Sequence, residues 1–262
     1  MKVPASRAGT EWIGFKTIII REFSRIVRIW GQTIVPPAVT ATLYFIIFGS
    51  LIGRRVGQVG GYDYMQFIAP GLIMMTVITN SYGNVVSSFF GAKFGKHLEE
   101  LLVSPLPNWL IVAGYMGGGI LRGVLVGSVV TLVSLFFTRL ALTHVFAVIT
   151  AVLLTSMVFA LGGFINAMFA KNFDQISWFP TFVLTPLTYL GGVFYSITML
   201  PGWAHIISHA NPILYMVSAF RYGFLGTTDV DLRLAYGIMI AGAAGMFTLA
   251  VALLNRGAGI RD

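Results

Sequence analysis

The sequence predicts an all-α integral membrane protein. Its expected architecture is six transmembrane helices, an N-terminal amphipathic interfacial helix, and re-entrant outer helices between spans 5 and 6. The first observation is composition: 56% of the 262 residues are hydrophobic and 10% are charged, whereas a soluble domain carries about 25% charged residues. So few charges cannot cover a surface that faces water. The second observation is six long apolar stretches, and the third is a net charge of +8, which suits segments lying beside anionic lipid.

Each predicted span approaches the roughly 20 apolar residues needed to cross about 30 Å of hydrocarbon. The expected limits are about 33–52, 65–90, 109–137, 145–169, 176–195 and 234–254. Pro36 and Pro37 fall near the start of the first span, and Pro180 and Pro186 fall inside the fifth. The second span is unusually polar.

Loop charge sets the expected orientation. With both termini inside, the inner segments hold eleven basic residues and the outer loops hold five. The inner set is Lys2, Arg7, Lys16, Arg21, Arg25, Arg28, Lys93, Lys96, Lys171, Arg256 and Arg261, and the outer set is Arg54, Arg55, Arg139, Arg221 and Arg233. We therefore expect a multi-pass protein of the bacterial inner membrane with both termini cytoplasmic.

Residues 1–31 are expected to form a cytoplasmic tail and an interfacial helix. Between Trp12 and Trp30 the apolar residues recur at helical spacing, and basic residues lie between them. A basic amphipathic helix bordered by Trp suits the membrane surface. A charged tail with accidental spacing is the alternative.

Two connecting segments depart from simple loops. Residues 92–107 read as a short charged helix closed by Pro105 and Pro107. Residues 196–233 are too apolar for an ordinary outer loop, and backbone at membrane depth must satisfy its polar groups internally. Short helices re-entering the outer leaflet would do so.

Two motifs carry a family resemblance. The first spans 191–223 and reads GGVFYSITMLPGWAHIISHANPILYMVSAFRYG; the second, from Glu99, reads EELLVSPLP. They resemble the pattern of ABC-2 type permeases, which have the type V exporter fold, and within that family the short YadH-like permeases. The matching positions in the first motif are Gly191, Val193, Leu200, Pro201, Pro212, Ile213, Tyr215 and Arg221. The likeness covers nearly the whole chain.

The resemblance implies a homodimer that binds two copies of a separate ABC ATP-binding subunit at the cytoplasmic face. Residues 32–262 would form the ABC-2 transmembrane domain. The coupling helix, about 92–107, would enter a groove of the ATPase through Lys96, Glu99, Glu100, Leu101, Leu102, Pro105 and Pro107. The outer gate would include Leu200, Pro201, Pro212, Tyr215 and Arg221.

The coupling segment also has a physical interpretation of its own. Glu99 and Glu100 offer carboxylates to a partner's Arg or Lys, beside apolar anchors at 101–103, which is the mixture found at interface hot spots. The alternative is a solvated loop whose negative charges balance Lys93 and Lys96.

A polar face on the second span is a candidate path lining. Thr76, Asn80, Asn84 and Ser87 step by four, four and three and so share one helix face. In the family, spans 1, 2 and 5 line the path. The corresponding candidates on spans 1 and 5 are Thr40, Tyr44, Thr181, Thr185 and Tyr189. Hydrogen bonding between helices is the alternative role.

Arg122 is the one basic residue well inside a predicted span. Ionisable groups at that depth are costly and mark functional sites by default; a snorkelling or structural arginine is the alternative. Six glycines between 114 and 127 would let neighbouring helices approach closely.

Several function classes are disfavoured. The Gly95-Lys96 pair is followed by His97 and lacks the spacing of a phosphate-binding loop, so ATP and Mg²⁺ are expected on the partner and no cofactor or metal on this chain. His205 and His209 share i, i+4 spacing but lack further ligands nearby in sequence. No nucleophile–base pair indicates an enzyme, and no basic stripe indicates nucleic acid.

The sequence therefore predicts a permease subunit of an ATP-driven exporter, acting by alternating access on a small amphipathic or hydrophobic substrate. A saccharide, lipid or glycolipid conjugate is the alternative cargo. An ion-coupled secondary transporter is the alternative class, although it would need several intramembrane ionisable residues.

Overall fold

The computed structural model describes the backbone of residues 7–259, with all side chains in that range except those at positions 7, 8, 50, 51, 54 and 198. Residues 1–6 of the predicted tail and 260–262 of the predicted cytoplasmic C-terminus therefore lie outside the described residues. The side chains of Arg7 and Arg54, which entered the count of loop charges, lie outside them too.

The N-terminal segment is one long amphipathic helix, α1 (Arg7–Arg28). Its buried side chains are Ile18, Glu22 and Ile26, spaced by four residues along one face, and this face packs against α6. Trp12 and Phe23 remain exposed. The predicted helix is present, but it starts five residues earlier and ends at Arg28, where the chain turns.

The helix α2 (Trp30–Tyr44) follows and continues as a π-helical stretch, Phe45–Gly53, and the short α3 (Arg54–Val56). Pro36 and Pro37 lie inside α2 rather than close to its start. Proline has no N–H, so the carbonyls four residues earlier, at Gln32 and Thr33, lose their helical donors.

A small antiparallel hairpin leads into the centre of the fold. Its strands are β1 (Gln58–Val59) and β2 (Tyr62–Asp63). Gly60 and Gly61 join them with φ of +60° and +84°, values that a two-residue turn of this hand requires and that glycine adopts without strain. The turn delivers the chain to α4 (Tyr64–Phe94), a continuous helix of 31 residues.

The bundle is assembled around α4, which packs against α6 (Asn108–Ser134), α7 (Val145–Phe169) and α11 (Pro212–Leu225). The short α5 (His97–Val103) lies between α4 and α6, and α12 (Leu232–Arg256) packs on α7 and α11. We call the end of the bundle at which α4 finishes the α5 end.

The segment between α7 and α12 is made of short pieces. They are α8 (Phe173–Phe179), a π-helical turn at Pro180–Leu184, α9 (Thr185–Tyr189), a 3₁₀ turn at Ile197–Met199, α10 (Gly202–His209) and α11. At 14 residues, α11 is about 21 Å long and too short to cross a bilayer. We call this opposite end of the bundle the α10 end.

The predicted spans are matched in part. Four helical stretches of the described chain are long and apolar enough to cross a membrane: Trp30–Gly49, Asn108–Ser134, Val145–Phe169 and Leu232–Arg256. The third predicted span was drawn three residues too long, since α6 ends at Ser134. The six-span count stays a prediction.

The two predicted spans that are missing from these four are the second and the fifth. The helix α4 has the length to cross but is more polar than the other four. The fifth prediction, 176–195, was wrong as a single helix ending at 195, because the helical stretch contains the π-helical turn and finishes at Tyr189. Pro180 and Pro186 remove two backbone donors from this stretch, which accounts for its irregular hydrogen bonding.

Glycines explain how closely the helices approach. Cβ atoms added at Gly114 and Gly118 of α6 would lie 2.6 Å from Ile18 and 2.8 Å from Glu22 of α1, and one at Gly123 would lie 2.0 Å from the Ser81 hydroxyl of α4. Atoms do not pack at such distances, so a side chain at any of these positions would force its neighbour to shift. The prediction that the glycines permit close helix packing is confirmed.

Candidate functional site

A cleft of about 320 Å³ lies between α2 and α4, with α6 behind it. Its walls combine apolar groups from both helices with a few polar ones, and among the described lining residues Arg122 alone is charged. The lining consists of Gln32, Pro36, Pro37, Thr40, Ala41, Tyr44, Leu72, Met75, Thr76, Thr79, Asn80 and Arg122. We call this space the central cleft.

The polar side chains of α4 present mainly acceptors to the central cleft. The hydroxyls of Thr76 and Thr79 each donate to the carbonyl four residues earlier at 2.9 Å, and the Asn80 amide donates to the Thr76 carbonyl at 3.0 Å. Both hydroxyl donors and one Asn80 N–H are therefore used within α4, while the hydroxyl lone pairs, the Asn80 amide oxygen and its second N–H remain available.

The predicted path residues separate into two groups. Thr40, Tyr44, Thr76 and Asn80 meet at the central cleft. Thr181 and Thr185 are exposed on the α8–α9 stretch, where their hydroxyls bond to carbonyls of the same stretch at 2.8 Å. Whether any of these residues contacts a substrate stays a prediction.

An aromatic cluster closes the central cleft toward the α10 end. The ring of Phe194 lies 4.7 Å from Phe48, 5.8 Å from Tyr44 and 5.8 Å from Tyr189, and the two tyrosine hydroxyls lie 3.3 Å apart. Tyr189 thus reaches the cleft through Tyr44. The sequence analysis did not single out Phe48, because this residue lies in a continuous apolar run where nothing marks one aromatic side chain as facing the cleft.

Asn84 is turned away from the central cleft into a buried ionic network. Its side-chain oxygen accepts from Arg25 at 2.7 Å, and its amide lies 3.4 Å from the Glu22 carboxylate. Glu22 pairs with Arg25 at 3.0 Å and accepts a short hydrogen bond from Ser88. We call Glu22, Arg25, Asn84 and Ser88 the α1–α4 network.

One more arginine borders this network. The Arg21 guanidinium lies 3.6 Å from Glu22 and donates to the hydroxyl of Tyr115 on α6 at 2.7 Å. The alternative interpretation of the polar face, hydrogen bonding between helices, therefore describes Asn84. Glu22 is only 1% exposed, and no pattern in the amphipathic helix predicts that this glutamate is buried.

The different positions of Asn80 and Asn84 give a matched test. Replacing Asn84 with Leu leaves Arg25 and Glu22 short of a partner, and loss of a buried polar partner costs about 1–3 kcal/mol of unfolding free energy. Asn80→Leu removes one bond within α4 at a half-exposed site, so we expect less than about 1 kcal/mol. Fluorescence-detected thermal unfolding in detergent measures both; equal losses would contradict the placement of the two amides.

At the α5 end, the predicted coupling residues lie on and around a short helix. Lys96 precedes α5 in the left-handed conformation, with φ of +58°. Glu99 and Glu100 are exposed in the first turn, Leu98 is buried, and Leu101 and Leu102 are half-buried against the bundle. Pro105 and Pro107 follow α5, and Pro107 immediately precedes α6. The helix is shorter than the predicted 92–107 because α4 itself extends to Phe94.

Lys93, in the last turn of α4, ties the end of that helix to the ends of α7 and α12. Its ammonium donates to the carbonyls of Met168 and Ala170 at the end of α7, at 2.6 and 2.9 Å, and to the carbonyl of Gly259 beyond α12, at 2.6 Å. These three hydrogen bonds go to backbone carbonyls. The alternative in which Glu99 and Glu100 balance the charge of Lys93 and Lys96 stays a prediction.

At the α10 end, one of the predicted gate residues is a buried arginine. Arg221 is 1% exposed; its guanidinium donates to the carbonyls of Gly192 at 2.6 Å and Phe67 at 3.3 Å and pairs with Asp229 at 3.2 Å. Asp229 also accepts from the Ser196 hydroxyl at 2.8 Å. Asp229 was missed in the sequence, where nothing distinguishes it from a loop residue.

The other gate candidates lie around α10 and α11. Pro201 and Pro212 are exposed, and each stands at the start of a helix. Leu200 is half-buried, and the Tyr215 hydroxyl donates to the His209 carbonyl at 2.8 Å. The rings of His205 and His209 lie 4.4 Å apart, and within residues 7–259 no group of three or more His, Asp or Glu is placed to hold a metal.

Comparison with known proteins decides the family. The profile of the ABC-2 type transporter family matches residues 13–225, a range that includes most of α1, the central cleft, α5 and Arg221. The chain belongs to the ABC-2 type transporter family. The resemblance drawn from the two motifs is therefore confirmed.

Relatives of this ABC-2 protein carry transport and nodulation names. It is 55% identical over 252 residues to the inner membrane transport permease YadH of Escherichia coli K12, covering 96% of this chain and 98% of that one. It is 26% identical over 218 residues to nodulation protein J of Rhizobium leguminosarum bv. viciae, covering 82% and 83% of the two chains. The nodulation protein J of Rhizobium meliloti is 23% identical over 215 residues.

Proposed function

We propose that this chain is the permease subunit of an ATP-driven exporter of the bacterial inner membrane. Two copies would form a homodimer and bind two copies of a separate ABC ATP-binding subunit, which carries ATP and Mg²⁺. The central cleft is the observation that carries this proposal, because it is a partly polar space between long apolar helices. Family membership and the full-length similarity to a transport permease support it.

The expected topology has six spans with both termini cytoplasmic. The spans would be α2 with its π-helical extension, α4, α6, α7, the α8–α9 stretch, and α12. The α5 end would face the cytoplasm and the α10 end the opposite side, with α10 and α11 re-entering the outer leaflet. The positive charges at Lys93, Lys96 and Lys171 near the α5 end support this orientation.

The mechanism we propose is alternating access driven through α5. ATP would close the partner ATPases, and the exposed carboxylates Glu99 and Glu100 would transmit the movement through Leu98, which is buried against the bundle. The halves of the dimer would then rock and open the aromatic cluster at Tyr44 and Phe194. The cargo would be a small amphipathic or hydrophobic compound, since apolar groups make up much of the cleft wall.

Charge reversal on α5 tests both the partner and the coupling surface. For Glu100→Arg we expect the copurifying ATPase to fall at least about tenfold, because like charges placed together at an interface cost several kcal/mol. The tagged permease is purified in mild detergent, and the recovered ATPase is quantified by mass spectrometry and by its activity.

Asp174→Arg is the matched control. Asp174 is an exposed acidic residue in the first turn of α8, outside α5, so its reversal should leave the ATPase bound. A folded wild-type permease that recovers no ATPase would overturn the proposed function and favour an ion-coupled secondary transporter. Equal recovery with both variants would remove α5 as the coupling surface.

A further inference from the structure

We propose that Arg122 binds the acidic head group of the amphiphile that occupies the central cleft. This inference rests on the proposed function and adds a chemical class: an amphiphile with one anionic group, such as a phosphate or carboxylate. The composition of the lining alone favours an amphipathic or apolar cargo over a strongly anionic one. The position of Arg122 in the assembled cleft changes that expectation.

The first step is that Arg122 has no partner among the residues that the structure describes. It lies near the middle of the 27-residue α6, and no hydrogen bond or ion pair joins its side chain to a described residue. Its Nε is buried and unpaired. A guanidinium has five N–H donors and cannot be deprotonated in proteins, so an unpaired one at mid-helix depth is costly unless something else satisfies it.

The second step is that the nearby carboxylate is already occupied. Glu22 is the buried acid on this side of α6, and Arg25, Arg21, Ser88 and Asn84 surround it. Arg25 is therefore a second positive charge near Arg122 that is compensated, whereas Arg122 is not. Arg122 lies near Arg25, whose carboxylate partner is already shared with Arg21, so a net positive potential remains around Arg122.

The third step is that donors and acceptors lie on different walls of the cleft. Arg122 supplies donors at one wall, while the Thr76 and Thr79 hydroxyls and the Asn80 amide supply acceptors on α4. An acidic group would lie against Arg122 in a charge-assisted pair, and hydroxyls close to it would donate to the α4 acceptors. Leu72, Met75 and the proline rings of α2 would contact the apolar chain.

Binding to the purified permease tests this without the ATPase. The protein is placed in phosphatidylcholine nanodiscs and titrated with lysophosphatidylglycerol, with lysophosphatidylcholine of the same chain length, and with water-soluble glycerol phosphate. Bound ligand is counted by native mass spectrometry. We expect the wild type to prefer the anionic lysolipid to the zwitterionic one, and Arg122→Gln to lower its affinity about tenfold, the usual effect of losing one charge-assisted hydrogen bond.

The controls separate the cleft from general charge and from misfolding. Arg233→Gln removes an exposed arginine at the start of α12 and should leave binding unchanged. Arg122→Lys should retain part of the preference. Should Arg122→Gln fail to fold, Thr40→Trp blocks the cleft from α2 while keeping the arginine, and it should lower binding of the anionic lysolipid.

Three outcomes would overturn the proposal. They are equal affinity of the wild type for both lysolipids, unchanged binding by Arg122→Gln or by a folded Thr40→Trp, and binding of glycerol phosphate as tight as that of the lysolipid, which would indicate a site for free anions. Loss of ATPase copurification without loss of anion binding would instead count against the proposed function alone.

Discussion

Arg221→Leu is expected to be the most damaging single change in this chain, lowering the free energy of unfolding by about 3–5 kcal/mol, the cost of breaking a buried ion pair from one side. The guanidinium holds together α4, α11 and the loop segments at 192–196 and 229. Its removal would leave Asp229 without its cation and the Gly192 and Phe67 carbonyls without a donor. Thermal unfolding in detergent, followed by tryptophan fluorescence, measures the loss.

Two companion variants show whether the pair itself is responsible. Arg233→Leu deletes an exposed arginine at the start of α12 and should change stability by less than about 0.5 kcal/mol. Adding Asp229→Leu to Arg221→Leu removes the uncompensated charge and should restore part of the lost stability. If the double variant is as unstable as the sum of the two single variants, the ion pair is not the source of the effect.

Glu22→Leu is expected to come second, with a loss of about 3 kcal/mol or more for the same physical reason. Here the orphaned groups are Arg25, Asn84 and Ser88, all of which meet the buried carboxylate. Because Glu22 lies on the face of α1 that packs against α6, we also expect α1 to loosen. Limited trypsin digestion at Arg21 and Arg25 should then become faster than in the wild type.

Ser88→Ala provides the graded comparison, since it removes one neutral donor from the same carboxylate and should cost about 1 kcal/mol. An exposed acid such as Glu99→Leu should leave both stability and α1 cleavage unchanged, because that side chain lies outside the α1–α4 network. Trypsin rates that stay equal across Glu22→Leu and the wild type would show that α1 is held by its apolar contacts alone.

Patterns within one segment predicted the fold well. Apolar length located α2, α6, α7 and α12, and helical spacing located α1. The glycine spacing of α6 correctly predicted close packing, although it could not say that α1 would be the neighbour. Pro180 and Pro186 indicated that the fifth span would not be a regular helix. Proline alone does not predict that the irregular segment is a π-helical turn.

The candidate site is formed by contacts between distant segments, and the periodicity of a single segment does not predict such contacts. Asn80 and Asn84 share a helix face, yet one borders the central cleft and the other meets α1. The divergence arises because α1 covers only part of α4, which no pattern within α4 encodes. Burial of Glu22 and the pairing of Asp229 were invisible for the same reason: each depends on a residue dozens of positions away or on a loop fold.

The lysine at the end of α4 has a mechanical consequence. The Lys93 ammonium donates to carbonyls at the end of α7 and beyond α12, close to where α5 begins. A force applied to α5 would therefore not bend one helix alone, because three helix termini are fastened to a single cation and must shift together. We therefore expect the α5 end to move as one unit, and any widening of the bundle to occur at the central cleft.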